Sequence, residues 1–162
     1  MKKISEKVKL LLKIDSGEED LIGATEVFPS GIDLNFQLWK TKNEDERLKK
    51  SKKVEEGEVE AGVYELSEGG NFLQIFSSLS IDFDKSCLTQ GQIKEFCLNH
   101  NYWLKKGGMS TFFPFKLNGD KYVAVVYIDS LFKAGVDIFP LGFDYTWSKE
   151  ARHHLVVIEN NS

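Results

Sequence analysis

The sequence of 162 residues predicts a single α+β domain: an antiparallel sheet of roughly five to seven strands with a long helix, at about residues 89–104, packed on one face. Three observations lead to this prediction. An apolar run without a polar break spans residues 122–128, a stripe of apolar residues at helical spacing follows residue 89, and an Asn-Gly pair separates two strand-like runs. A chain of this length buries about 70% of its unfolded surface, so we expect a core that needs no disulfide or metal.

The run at 122–128 forms the centre of the predicted sheet. A strand with one face in water alternates between apolar and polar residues, so an unbroken run predicts a strand covered on both faces. The second covering layer would be the N-terminal strands or a partner subunit, which makes self-association a hypothesis. The flanking runs at 111–117 and 136–141 are also strand-like, but they contain Pro114 and Pro140. Because proline cannot donate to a ladder, we expect both to be outer strands.

The N-terminal part of the chain predicts three further strands. Residues 7–14 alternate as a strand does, although their leucines also suit a helix, and residues 32–39 alternate most regularly. A third strand is expected at 59–66, where turn residues end it. The charged tract at 40–60 is predicted to be an exposed connection, either a short solvent-facing helix or a disordered arm.

Two helices are expected in the middle of the chain. Asn71 is a suitable N-cap for a short one. Its buried side would comprise four apolar residues, Phe72, Ile75, Phe76 and Leu79. Thr89 and Gln92 fit a capping box for the long helix at 89–104, and the glycine pair at 107–108 would end it. Its apolar stripe comprises Ile93, Phe96, Cys97, His100, Trp103 and Leu104.

The second half of the chain ends in a β-meander. The Asn118-Gly119 pair between two apolar runs predicts a tight hairpin, and a third strand at 135–141 follows it. The short apolar segment at 155–158 could extend an edge or pair with an N-terminal strand. Residues 87–158 would then form a helix and meander unit within the single domain 1–162.

The same half of the chain contains a series of short motifs. They are Leu88-Thr89-Gln90-x-Gln92-Ile93, Phe96-Cys97, His100-x-x-Trp103-Leu104, Gly108, Thr111-Phe112-Phe113-x-Phe115-Lys116, Trp147 and Ala151-Arg152-His153. In this order the motifs resemble a recurring set of small bacterial hypothetical proteins. No activity is attached to that set, so the resemblance implies only that residues 87–158 behave as one unit.

Charge and composition restrict the partners and the location. A formal net charge of -4 argues against general nucleic-acid binding, although the lysines between residues 40 and 53 keep a local contact as a third hypothesis. No run approaches the ~20 apolar residues of a membrane span, and no cleavage site follows the N-terminal lysines. We therefore expect a cytoplasmic protein without membrane contacts. Cys87 and Cys97 fit neither a zinc site nor a redox motif, and the acidic residues at 15–20 lack EF-hand spacing, so no metal or cofactor is expected.

Reactive side chains concentrate near the C-terminus. They are Asp144, Glu150, Arg152, His153 and His154. If the histidines lie on a strand, they point to opposite faces and cannot chelate one metal together. Either histidine could pair with a carboxylate as an acid/base couple. However, no nucleophile, oxyanion loop or phosphate-binding loop accompanies them.

Two functions are consistent with these residues. The first, which we favour, is a non-catalytic protein-binding or assembly module that presents residues 143–147 and the adjacent histidine edge to a partner. Its contact residues would be Tyr145, Trp147, Arg152 and His153. The alternative is a small hydrolase that uses a His-carboxylate pair at the sheet edge. Its catalytic residues would be His153 or His154 with Asp144 or Glu150.

Overall fold

The computed structural model describes residues 2–4, 8–15, 21, 24–33, 53–79 and 82–159. Most of the strand predicted at 32–39, the acidic loop after Asp15, and residues 40–52 of the charged tract lie outside these residues. The strands are β1 (Lys2–Lys3), β2 (Val8–Asp15), β3 (Gly31–Asp33), β4 (Lys53–Glu65), β5 (Ser110–Leu117), β6 (Asp120–Ile128), β7 (Ala134–Pro140) and β8 (His154–Glu159). The α-helices are α1 (Phe72–Ser77), α2 (Phe83–Ser86) and α3 (Gln90–Asn99), and 3₁₀ turns occur at Asn101–Trp103 and Lys149–Ala151.

The strands form one mixed sheet in the order β1-β4-β8-β5-β6-β7-β3. β2 lies outside this order and pairs with β4, as β1 does. β1 and β2 pair with successive parts of β4, so the sheet is seven strands wide. β8 runs parallel to β5, and β3 runs parallel to β7. The predicted antiparallel sheet is therefore wrong. A hairpin signal predicts pairing only between strands that are adjacent in the sequence. β8 instead joins the sheet after a connection that crosses one of its faces.

The predicted long helix is also wrong, because α3 ends at Asn99. Its capping box is present as expected, since Thr89 accepts from the Gln92 N–H and Gln92 accepts from the Thr89 N–H. His100 leaves the helical region with φ -132° and ψ 31°, and a 3₁₀ turn follows. Asn and His favour helix ends over helix interiors, which accounts for the early stop. The glycine pair at 107–108 instead forms the turn before β5.

β6 is covered on both faces, which confirms the prediction from its unbroken apolar run. Its alternate residues belong to two separate buried clusters. On one face, Tyr122, Ala124 and Val126 pack in a cluster with α3 and the segment 24–28. We call this the α3 face. On the other face, Val123 and Val125 pack in a cluster with α1, and we call this the α1 face.

The covering layer on the α1 face comes from this chain itself. Asn71 caps α1 through a capping box with Gln74, and Phe72, Ile75 and Phe76 are buried, as predicted. Each fully buried side chain of this size stabilises the fold by about 1.5–3 kcal/mol. The prediction that N-terminal strands or a partner subunit supply this layer is wrong. The α1 face is therefore not an uncovered surface that would favour self-association.

The Asn118-Gly119 hairpin is confirmed. Leu117 pairs with Asp120, and both turn residues have positive φ, 52° and 80°, as a type I′ turn requires. However, β5 is not an outer strand, because Thr111 and Phe112 pair with β8. Pro114 lies beyond that pairing, and its carbonyl accepts the Leu88 N–H at 2.9 Å. Pro114 therefore prevents pairing with β8 only near its own position, and the start of β5 still pairs with β8. No helix among the described residues is long and apolar enough to cross a membrane.

Candidate functional site

The connection from β7 to β8 returns across the α1 face and is fixed there by Trp147. Trp147 forms an isolated antiparallel bridge with Gly70, with N–H to carbonyl distances of 2.8 and 3.0 Å. Gly70 has φ +143°, and a Cβ on Gly69 would clash with the Trp147 carbonyl oxygen. Only glycine tolerates both conditions. The Gly-Gly pair therefore positions the Trp147 ring on the α1 face.

The Trp147 ring lies within a group of aromatic residues. Its centroid is 5.5 Å from that of Phe72, 4.9 Å from that of Phe112 and 5.3 Å from that of His153. These separations are typical of favourable ring pairs. The indole Nε1 is buried, and it has no hydrogen-bond partner among the described residues. An unpaired buried donor is unusual, since native proteins pair about 90% of such groups.

Two further rings continue this group into solvent. Phe143 is 37% exposed and Tyr145 is 51% exposed. Phe143 stacks on Phe139 with centroids 4.6 Å apart, and Tyr145 meets Trp147 edge-on at 4.7 Å. We call Phe143, Tyr145 and Trp147 the aromatic surface. It offers large apolar side chains to solvent on a buried, packed base.

His153 is buried, with 6% of its surface exposed, and lies on the α1 side. The Ser110 N–H donates to His153 Nδ1 at 2.9 Å, so the proton of the neutral ring is on Nε2. Burial lowers the pKa of His153, and the positive charge of Lys105 acts in the same direction. The Ser110 bond also favours the neutral ring, because a doubly protonated imidazole has no acceptor at Nδ1.

His154 has the opposite arrangement. Its Nδ1 lies 2.7 Å from the carbonyl oxygen of Trp103, which can only accept, so Nδ1 is the donor. Trp103 packs against the cluster of the α3 face, so the two histidines contact different layers, as successive strand positions require. Burial lowers the pKa of His154 as well. The two histidines therefore do not form one site.

The charged residues predicted for catalysis are not joined to the histidines. Among the described residues, neither histidine has a hydrogen bond to Asp144 or Glu150. The Glu150 carboxylate instead accepts from the Ser148 hydroxyl at 2.8 Å, which lowers the pKa of Glu150. Asp144 is exposed. The described part of the chain also contains no group of three or more side chains suited to a metal ion.

Arg152, a predicted contact residue, is exposed. Its guanidinium lies 3.5 Å from the Glu65 carboxylate. Arg152 also has a left-handed backbone, with φ 51°, as the C-cap of the short turn before β8. This turn is the point where the chain leaves the α1 face and enters the sheet.

A surface cavity of about 440 Å³ lies beside the segment that binds Trp147. Its lining residues are Ser67, Glu68, Gly69, Gln74, Ile75 and Ser78. The cavity is thus bordered by α1 and by the strand end next to the aromatic surface. The Gly69-Gly70 pair predicts a turn after β4, but neither the cavity nor the approach of Trp147 to Gly69 has a signal in the sequence. The role of Ser110 had no signal, since its backbone N–H is common to all residues except proline.

In comparisons with known proteins, no protein-family model, curated protein or solved structure matches the chain. The function is therefore argued from the geometry of the chain alone.

Proposed function

We propose that the protein is a non-catalytic cytoplasmic binding module that docks a partner protein through the aromatic surface. The observation that supports this proposal is the exposure of Tyr145 and Phe143 above a packed aromatic base. Tyrosine and tryptophan contribute most often to interface energy, because they bury a large area at a small cost in side-chain entropy. A base that is already packed also lowers the ordering cost of docking.

The geometry favours binding over the hydrolase alternative. A hydrolytic acid/base couple needs a histidine held by a carboxylate and directed at a substrate. Here each histidine Nδ1 bonds to a main-chain group, and Glu150 bonds to Ser148. Bonds of this kind orient a ring within a fold, whereas an acid/base couple also needs a carboxylate partner, and no hydrogen bond joins either histidine to Asp144 or Glu150 among the described residues. We therefore propose contact roles for Tyr145 and Trp147 and no catalytic role for the histidines.

The proposal is tested with Tyr145→Ser and a matched control, Tyr102→Ser. Tyr102 is also an exposed tyrosine, but it lies in the 3₁₀ turn after α3, away from the aromatic surface. Partners are captured by the immobilised wild-type protein from cells that produce it, identified, purified and titrated against each variant. We expect Tyr145→Ser to weaken binding about tenfold or more, as loss of an interface anchor does, and Tyr102→Ser to leave it unchanged.

Both variants change exposed side chains, so their free energies of unfolding should stay within about 0.5 kcal/mol of the wild-type value. Urea unfolding verifies this condition. Full retention of binding by Tyr145→Ser, or an equal loss in Tyr102→Ser, would refute the role of the aromatic surface.

A further inference from the structure

Two neighbouring rings on the α1 face each carry an N–H group that has no acceptor in the described part of the chain. One is the buried Trp147 Nε1, which has no partner in the described part of the chain. The other is His153 Nε2, which holds the proton because Nδ1 accepts from Ser110. No hydrogen bond of His153 Nε2 occurs within the described ranges. The two rings are 5.3 Å apart, and the side chain of His153 is more than nine-tenths buried.

The surroundings of these donors contain no obvious acceptor. The ring centroid of Phe112 lies 4.9 Å from that of Trp147 and 5.1 Å from that of His153, and the centroid of Phe72 lies 5.5 Å from that of Trp147. Phenyl rings offer no strong acceptor, so a hydrogen-bonding group would have to come from outside this cluster. Two donors held in an apolar environment form a stronger site for an acceptor than the same donors in water.

The charge near the donors favours an anionic acceptor. Lys105 lies close enough to lower the pKa values of both histidines, so its positive charge acts on this region. Arg152 is adjacent in sequence, although Glu65 balances it at 3.5 Å. A carboxylate would accept from both ring N–H groups and also gain from the Lys105 charge. A neutral amide would gain only the hydrogen bonds.

We propose that Trp147 and His153 form a receptor for the carboxylate of an acidic side chain, supplied by the partner that docks on the aromatic surface. An extended side chain such as that of glutamate suits the site, because Trp147 Nε1 lies below the surface. Tyr145 contacts Trp147 at its edge and lies in a segment without helix or strand, so its movement can admit the side chain. The inference rests on the proposed docking function, but its test needs no partner.

The probe is N-acetyl-glutamate amide, a blocked glutamate, added at neutral pH to the complete protein. Its control is N-acetyl-glutamine amide, which has the same shape without the charge. We expect the indole N–H resonance of Trp147, recorded by ¹H–¹⁵N NMR, to shift in a saturable manner with the glutamate probe and to shift at least about fivefold less with the glutamine probe. The Trp103 indole serves as the internal reference. N-acetylglycine, a terminal carboxylate, distinguishes an acidic side chain from a chain end, and a tighter response to it would overturn the side-chain assignment.

Two variants separate the roles of the donors. His153→Asn keeps an oxygen that can accept from Ser110 but removes the Nε2 donor, so it should weaken the glutamate probe by about tenfold. Trp147→Phe keeps an aromatic ring but removes the Nε1 donor, so the amide resonance of Ser110, which bonds to His153, should respond to the glutamate probe about tenfold more weakly than in the wild type. An equal response of the Ser110 amide in both proteins would overturn the role of Nε1. An indole resonance that ignores the glutamate probe or responds equally to the glutamine probe would overturn the proposal.

Failure of this inference is distinguishable from failure of the docking function. If Tyr145→Ser loses the partner while the glutamate probe has no effect on the wild-type protein, the aromatic surface stands and the carboxylate receptor is refuted. If the probe binds but Tyr145→Ser retains the partner, the receptor stands as a site and the docking function is refuted.

Discussion

Among the described residues, the buried polar side chains on the α3 face have hydrogen-bond partners, whereas on the α1 face the Trp147 Nε1–H has none. On the α3 face the Leu21 N–H donates to Gln90 Oε1 at 3.1 Å, and the Lys105 N–H donates to Thr111 Oγ1 at 2.9 Å. Fully paired polar groups indicate a surface that is complete in the free protein. The unpaired donor indicates that the α1 face is incomplete.

The two faces also differ in whether their aromatic ring contacts reach the surface. On the α3 face, Phe96 is fully buried and meets Phe113 edge-on at 5.3 Å. On the α1 face, the ring contacts extend from the buried Phe112 through Trp147 to the exposed Tyr145. The ring contacts of one face therefore stay in the core, whereas those of the other face reach the surface where we propose that a partner docks. Substitutions on the two faces should separate these roles.

The largest expected effect is on the α3 face. Phe96→Ala should lower the free energy of unfolding by about 3–5 kcal/mol, because it removes a fully buried ring and leaves a cavity. Leu98→Ala, in the same helix but exposed, should lower it by less than about 0.5 kcal/mol. Urea unfolding measures both values. Similar losses for the two variants would show that the α3 face is not the stabilising layer described here.

Features that depend on neighbouring residues could be predicted from the sequence. The Asn118-Gly119 turn, the caps at Asn71 and Thr89, and the double coverage of β6 each follow from local backbone preferences or from a short apolar pattern. The parallel pairing of Thr111 with His154 could not be predicted, because it depends on where the connection 141–153 crosses the sheet. The layer that covers the α1 face could not be predicted for the same reason. The sequence predicts the apolar side of α1, but not which face of the sheet that side covers.

The residues of the candidate site could be predicted from the sequence, but not all of their contacts. Tyr145, Trp147 and His153 were selected for their residue types and proximity in sequence, and the fold places their rings in one contact series. No hydrogen bond joins either histidine to Asp144 or Glu150 in the described part of the chain, and the strand that begins at His154 directs the two histidines to opposite layers. Side-chain type identifies candidates, but the register of a strand decides which of them meet.

The next largest expected effect is the loss of stability at acidic pH, to which the two faces should contribute differently. The pKa values of His153 and His154 are lowered on folding, so between these values and about 6.5 the unfolded chain binds more protons than the folded one. The stability from the neutral rings is complete above pH 6.5 and is lost as the pH falls below it. Protonation of His153 also breaks the Ser110 bond, whereas protonated His154 still donates to Trp103. His153 should therefore account for the larger share.

Unfolding in urea from pH 7.5 to 4.5 tests this difference with His153→Asn and His154→Asn. Asparagine can accept from Ser110 at one position and donate to Trp103 at the other, and it does not titrate. Each variant should depend less on pH than the wild type, and His153→Asn should show the smallest dependence. A smaller dependence in His154→Asn would place the acid-sensitive contact on the α3 face instead.

The smallest effect concerns an exposed ring that belongs to neither face. Phe132, in the turn between β6 and β7, is 79% exposed and has a left-handed backbone with φ 60°. The turn is held by the Asp129 carboxylate, which accepts from the Leu131 N–H at 2.8 Å and the Lys133 N–H at 2.9 Å. A left-handed backbone costs a residue with a Cβ about 1–2 kcal/mol, and glycine loses about 0.5–1 kcal/mol more chain entropy on folding.

Phe132→Gly should therefore raise the free energy of unfolding by about 0.5–1 kcal/mol, which thermal or urea unfolding can resolve. Phe132→Ala removes the same ring but keeps the Cβ, so it should give no gain. An equal gain from alanine would mean that ring exposure, not the backbone, limits stability at this turn. Tyr145 provides the contrast with the α1 face. It has no positive φ, so Tyr145→Gly should lower stability, and the exposure of its ring does not arise from a strained turn.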